Sequence, residues 1–318
     1  MKRDLLSLRD FTGREIQAIL DLTRRLKEDR QYGRDALAGR SIGLVFQKPS
    51  NRTRTSFDVG IYQLGGHGVY LAPQEINLGV RESSADVART LSRYLDGLVA
   101  RTNTHKDVVD LAANASIPVI NGLCDLYHPC QALTDIFSIR EKLGRLRGVK
   151  VAYVGDGNNV CHSLMLACAK SGVHLRVATP EGYAPCPEVV TLARQEADRH
   201  EGGLLVGNNP QEAVHGAEVV YADVWVSMGQ EAERERRLRD FRGFQINEDL
   251  LAKADARCLF MHCLPAHRGE EVTAEVIDGE RSMVFDQAEN RLHTQKAVLM
   301  FLMRSATGAS AEEKENIL

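Results

Sequence analysis

No C-x-x-C pair, no apolar run of membrane length and no Pro/Gly/Ser-rich linker occurs in this 318-residue sequence. Each absence removes a class of protein. The cysteines stand at 124, 130, 161, 168, 186, 258 and 263. Their number is odd and they lack metal-finger spacing, so free thiols in a reducing compartment are expected, not a disulfide framework. A membrane helix needs about 20 apolar residues in a row, and none are found. The start, Met1-Lys2-Arg3-Asp4, leads into no long apolar stretch, which makes the cytoplasm the expected location. A net charge of −3 gives no basic field, so neither nucleic acid nor membrane is expected as a partner. There is no internal repeat, no low-complexity segment and no G-x-x-x-x-G-K-[ST] loop.

What is present describes a soluble globular protein: 43% hydrophobic and 26% charged residues. The length predicts two domains of ordinary size. Thr12-x-x-Glu15 is a capping box ahead of Ile16, Ile19, Leu20 and Leu26, the apolar face of a first helix. Strands are predicted at 42–46, 69–71, 97–100, 117–120, 151–154, 174–178, 219–221 and 259–261. Helical runs fall between them, from an N-terminus at 50–53 to about 64, at 85–94, from 104, 129–143 and near the C-terminus. Residues 72–82 have no clear period and read as a loop. The fold class is therefore α/β: two domains, each a mainly parallel sheet flanked by helices.

The most informative stretch is Gln47-Lys48-Pro49-Ser50-Asn51-Arg52-Thr53-Arg54, between a buried strand and a helix. A helix N-terminus offers unpaired N–H groups and a positive dipole end, which favour an anion. Hydroxyls add donors, and Arg52 and Arg54 add forked cationic donors suited to phosphate. A helix cap followed by solvated arginines is the plainer alternative. Further on, Gly155-Asp156-Gly157 after a strand imitates a dinucleotide fingerprint. The third glycine position holds Val160, and no acid ends the next strand, so nicotinamide binding is not expected. Asp223-Val224-Trp225-Val226-Ser227-Met228-Gly229 reads as a strand end leading into a loop. A carboxylate there can pair with an ammonium. His262, Cys263 and His267 crowd around Pro265 too closely for a good metal site.

The Ser50-to-Arg54 stretch resembles the Ser-Thr-Arg-Thr-Arg motif of the aspartate and ornithine carbamoyltransferases. His128-Pro129-Cys130-Gln131 is similar to the family's His-Pro-x-Gln, and Asp223 to Gly229 to its Asp-x-x-x-Ser-Met-Gly loop. His262-Cys263-Leu264-Pro265 matches its His-Cys-Leu-Pro motif. The resemblance covers essentially the whole chain. It implies transfer of a carbamoyl group from carbamoyl phosphate to the side-chain amine of L-ornithine, giving citrulline and phosphate, with no metal and no cofactor. It implies that Ser50, Asn51, Arg52 and Thr53 hold the phosphate, with Arg101 bridging to the carbonyl oxygen. His128 and Gln131 would contact the carbamoyl group, Leu264 would accept from its NH₂, and Arg291 would be the last contact. Asn159, Asp223, Ser227 and Met228 would bind ornithine, with Cys263 beside the reacting amine.

Residues 72–82, with Asn77, resemble the segment that reaches a neighbouring subunit's phosphate site in the family's homotrimer. The family usually carries Thr at the position of Asn51, and its bacterial members Gln at that of Asn77. The domains implied are 1–133 for carbamoyl phosphate, 134–148 as a linking helix, 149–290 for ornithine, and 291–318 as a C-terminal helix returning to the first domain. Three rivals remain: a carbamoyltransferase for another amine such as putrescine or an acylated ornithine, a dehydrogenase on a similar fold, and a non-catalytic binding protein.

Overall fold

A computed structural model describes residues 2–76, 78, 82–227 and 229–306. The chain forms two compact units, Met1–Phe137 with Asn290–Leu318 and Ser138–Glu289.

The first unit is built on β1 (Ser41–Phe46), β2 (His67–Leu71), β3 (Gly97–Arg101) and β4 (Val119–Leu123), all parallel, in the order β2-β1-β3-β4. Ile42, Leu44, Val45 and Phe46 have no exposed surface. A run apolar on both faces suits a strand covered on both sides, as parallel sheets are. From β1 the chain builds β2 on one side, then crosses to β3 on the other. The order therefore reverses between β1 and β3, where Phe46 pairs with Arg101 at the carboxyl ends. The Asn51–Gln63 helix follows β1 directly; its N-cap is Ser50, whose side chain accepts from Thr53 N. The Thr12 capping box forms with both of its bonds. Such a cap contributes about 1 kcal/mol.

The second unit repeats the scheme with β5 (Lys150–Val154), β6 (His174–Ala178), β7 (Gly203–Gly207), β8 (Val219–Ala222) and β9 (Leu259–His262). The order β7-β6-β5-β8-β9 is again fully parallel and reverses between β5 and β8. Ala152, Val154, Val220, Ala222, Phe260 and Val276 share its core.

Several local expectations change. Residues 72–82 contain a one-turn helix, Pro73–Ile76, nucleated by Glu75 Oε2 accepting from Ala72 N at 2.7 Å. The helix expected to 94 is Ser84–Leu91, and β4 starts at Val119, not 117. The edge strand β7 was not anticipated, since its ends are glycines and only Leu204 is buried. The terminal helix is Val284–Ala306, so it starts seven residues ahead of the expected 291. Its polar start had hidden a buried stripe that includes Val284 and Gln287. Gly157 serves packing: a Cβ there would lie 2.3 Å from Pro185 N.

Candidate active site

In the first unit the arginines converge where the strand order reverses. Thr53 is buried, and its hydroxyl accepts from Arg291 Nη2 at 2.8 Å, across 238 residues of sequence. Arg101, at the end of β3, is 9% exposed. Burial lowers its pKa to about 10, and the neighbouring charges of Arg291 and Arg52 act in the same direction. It remains a cation at neutral pH. His128, just before the Pro129–Leu143 helix, is buried beside the same three arginines. Burial, then Arg291, Arg101 and Arg52, hold its pKa well below 6.5, so it is a neutral imidazole. Burial also pushes the nearby Cys130 thiol up to about 12, which leaves it inert.

Three cations brought together repel one another, and an anion relieves that repulsion. Arg101 Nε and Gln131 Oε1 are buried here without a hydrogen-bond partner. The Gln131 amide nitrogen is engaged, donating to Asp135 Oδ1 at 2.8 Å. Its oxygen is thus left as an acceptor for a ligand N–H. The guanidinium of Arg54 lies over the Tyr70 ring, 3.7 Å from the centroid. Asn51 is exposed and occupies the first helical turn, with its side-chain oxygen near the Thr55 hydroxyl at 3.4 Å. Asn77 lies outside the described residues.

The second unit carries a carboxylate at its own reversal point. Asp223, immediately after β8, is 4% exposed. Its Oδ1 accepts from Val224 N at 2.8 Å and from Cys263 Sγ at 3.0 Å. Its Oδ2 accepts from Asn158 Nδ2 at 2.7 Å. Asn158 also caps the Asn159–Lys170 helix, its side-chain oxygen accepting from Val160 N and Cys161 N. Asn159 is the first residue of that helix. Sequence reading does not single out Asn158, and the paired asparagines after a strand are the available signal.

The loop after Asp223 is anchored from below. Arg237 Nη1 donates to Trp225 O at 3.0 Å and to Asp156 Oδ2 at 2.8 Å. Trp225, Val226 and Phe241 form a small core beneath the loop. Arg237 does not stand out in the sequence, because a helix of alternating charges reads as a solvated face. Ser227 donates its backbone N–H to Gln230 Oε1 at 3.0 Å, and Met228 lies outside the described residues.

β9 delivers His262, Cys263 and Leu264 to the same end of the sheet. Cys263 is partly exposed. Leu264 has φ +57. That left-handed conformation costs an L-residue about 1–2 kcal/mol. Its N–H donates to His262 Nδ1 at 2.9 Å.

Among the described residues, His267, Glu270 and Glu271 could offer three metal ligands within 4.8 Å of one another. Glu271 already accepts from His267 N, and Glu270 pairs with Arg234. The group reads as an internal hydrogen-bond and ion-pair network.

Comparison with known proteins adds an independent result. Residues 3–141 match the family model described as aspartate/ornithine carbamoyltransferase, carbamoyl-P binding domain. Residues 147–302 match the model described as aspartate/ornithine carbamoyltransferase, Asp/Orn binding domain. The chain is 55% identical over 303 residues to the ornithine carbamoyltransferase of Thermococcus kodakarensis, covering 95% of this chain and 96% of that one. The solved ornithine carbamoyltransferase of Pyrococcus furiosus superposes with a TM-score of 0.92 at 54% identity, covering 95% and 97% of the two chains. The ornithine transcarbamoylase of Giardia lamblia superposes at 0.87 with 33% identity, covering 95% and 98%.

Proposed function

The chain belongs to the aspartate/ornithine carbamoyltransferase family, and we infer from this that it transfers the carbamoyl group of carbamoyl phosphate to the side-chain amine of L-ornithine. The observation that carries the chemistry is the convergence of Arg52, Arg101 and Arg291 on neutral, buried His128, beside the unsatisfied Gln131 oxygen. A small phosphorylated carbamoyl compound uses all of these at once: oxygens for the arginines and an NH₂ for Gln131.

Ser50, Asn51, Arg52, Thr53 and Arg291 hold the phosphate, and Arg101 reaches from phosphate to carbonyl oxygen. His128 polarises the carbamoyl group as a neutral donor. The amine nitrogen attacks the carbonyl carbon, the C–O bond to phosphate breaks, and the amine proton is released. Charge grows on the carbonyl oxygen and on the leaving phosphate. Fixed cations there stabilise the transition state more than the ground state, and one such donor is worth about 10²–10³ in rate. Asp223 pairs with the ammonium of the amino-acid end of ornithine, assisted by Asn159, Ser227 and Met228. Cys263, tied to Asp223, positions the free amine, and the Leu264 carbonyl accepts from the carbamoyl NH₂. Bringing both substrates together supplies much of the rate without a covalent intermediate.

An aspartate acceptor would set its side-chain carboxylate against Asp223, which disfavours it. The test is citrulline formation from carbamoyl phosphate, with ornithine, putrescine and aspartate run in parallel and nicotinamide absorbance followed alongside. Turnover with putrescine above ornithine overturns the choice of acceptor.

A homotrimer belongs to this proposal, with residues 72–82, including Asn77, serving the neighbouring subunit's phosphate site. So does a cytoplasmic location; no helix among the described residues is long and apolar enough to cross a membrane. Native mass spectrometry tests the trimer directly.

A further inference from the structure

We propose that Glu271 is a positioning residue for the turn at 262–264, acting through His262 to hold Leu264 and Cys263 in their working geometry. The proposal rests on the reading above, in which the Leu264 carbonyl and the Cys263 thiol face the reacting groups.

Leu264 sits at φ +57, which a leucine leaves unless something holds it. The hold is its N–H donating to His262 Nδ1 at 2.9 Å. An imidazole nitrogen accepts only when it carries no proton, so the proton of neutral His262 is on Nε2. That nitrogen is buried and lies 3.3 Å from Glu271 Oε1, a long contact whose pull is electrostatic more than a formed hydrogen bond. Glu271 Oε1 already accepts from His267 N, and an accepting oxygen at this place selects the Nε2–H tautomer that leaves Nδ1 open to Leu264.

Glu271 is itself a fixed post. It has no exposed surface, its carbonyl accepts from Ile246 N at 2.9 Å, and its Oε1 accepts from His267 N at 2.5 Å. The His262 backbone is tied independently, donating to Gln287 Oε1 at 3.0 Å. With backbone and ring both fixed, the tautomer is the remaining variable. A proton moved to Nδ1 would set two donors, Nδ1–H and Leu264 N–H, against each other. Leu264 would then relax and carry the Cys263–Asp223 contact with it.

Glu271→Leu removes the acceptor, and Glu271→Gln keeps an oxygen in its place. The Leu variant should lose about tenfold to a hundredfold in kcat, since small misplacements near the reacting atoms carry losses of that size. Its carbamoyl-phosphate affinity should fall by no more than about tenfold, because only the Leu264 hydrogen bond to the carbamoyl NH₂ is loosened while the phosphate contacts are made elsewhere. The Gln variant should retain most activity. In a Leu264→Gly background the penalty of Glu271→Leu should shrink to about threefold or less, because glycine adopts positive φ without being held.

A readout independent of turnover is the maleimide alkylation rate of Cys263 in a Cys186→Ser background, the other five cysteines being buried. Glu271→Leu should change that rate severalfold and Glu271→Gln should not. If Glu271→Leu does not fold, Glu271→Ala takes its place. An unchanged alkylation rate, or an equal kcat loss in the Leu264→Gly background and without it, overturns the proposal. A wild-type protein that makes no citrulline overturns the functional reading instead, and the alkylation arm still decides the positioning.

Discussion

In the first unit the chain leaves β1, adds β2 on one side and crosses to β3. In the second it leaves β5, adds β6 and β7, and crosses to β8. Both orders reverse next to the first strand, and both place their polar side chains at the carboxyl ends beside that reversal, where ligands of open parallel sheets gather. The chemistry delivered there is opposite. One point receives Arg52, Arg101 and Arg291 around a neutral histidine. The other receives Asp223, held by Asn158 and Cys263. The shared topology explains where each site lies and says nothing of what it takes. The sign of the side chains decides that: a phosphorylated donor in one unit, an ammonium-bearing acceptor in the other.

The sharpest way to break this comparison is to strip charge from each side in turn. Arg52→Ala should lower kcat/KM for carbamoyl phosphate by about 10³, because a charge-assisted fork on a desolvated phosphate is lost. Arg52→Lys should recover little, since an ammonium cannot reproduce two parallel bonds. Calorimetry that finds wild-type carbamoyl-phosphate affinity in the Ala variant removes the first unit's assignment. Asp223→Asn should raise the KM for ornithine by about a hundredfold, the scale of one hydrogen bond to a charged group. Phosphate affinity should be untouched. If phosphate binding weakens in step, the division between the units is wrong.

The pH dependence sharpens the same contrast. Ornithine's side-chain ammonium resembles lysine, with a pKa of about 10, and must lose its proton before attack. Hence kcat/KM for ornithine should rise by about tenfold per pH unit through the neutral range. Arg101, lowered only to about 10, and His128, neutral throughout, do not change charge there. A flat profile with chemistry shown to be rate-limiting contradicts an amine nucleophile.

The smallest effect is on stability. His128 has its pKa depressed by burial and by three arginines, whereas in the unfolded chain it titrates near its ordinary value. Below about pH 6.5 the unfolded state therefore binds the extra proton, and stability present above that pH is lost as the pH falls toward the folded value. The loss is about 1.4 kcal/mol per pH unit at most from this one group. Melting curves between neutral and mildly acid pH should show a steeper decline for the wild type than for His128→Asn. Equal slopes would mean that His128 is not kept neutral by its surroundings.

Much of the protein is legible in the chain because it is local. The Thr12 and Ser50 caps act within three residues; the first forms as the sequence predicts, and the second as the plainer reading of its stretch has it. Buried strands announce themselves as short apolar runs, and their alternation with helices points to the parallel α/β class. Boundaries are less legible where polar residues fill the early turns of a helix, as at Asp286 to Asn290, or where an edge strand is half exposed, as at Gly203–Gly207. Asn158 is hidden beside Asn159 because capping depends on backbone angles that a pair of identical residues does not reveal.

The sequence by itself determined the fold class, the cap that opens the Asn51–Gln63 helix and, through motif resemblance, which residues are candidates for the site. Only the tertiary structure decided which of them act on one another. Arg291 reaches Thr53 from 238 residues away, the guanidinium of Arg54 lies over Tyr70, and Leu264 is held by His262. These outcomes are set by burial and by distance in space, and neither charge repulsion nor a shifted pKa exists until the chain has brought the groups together.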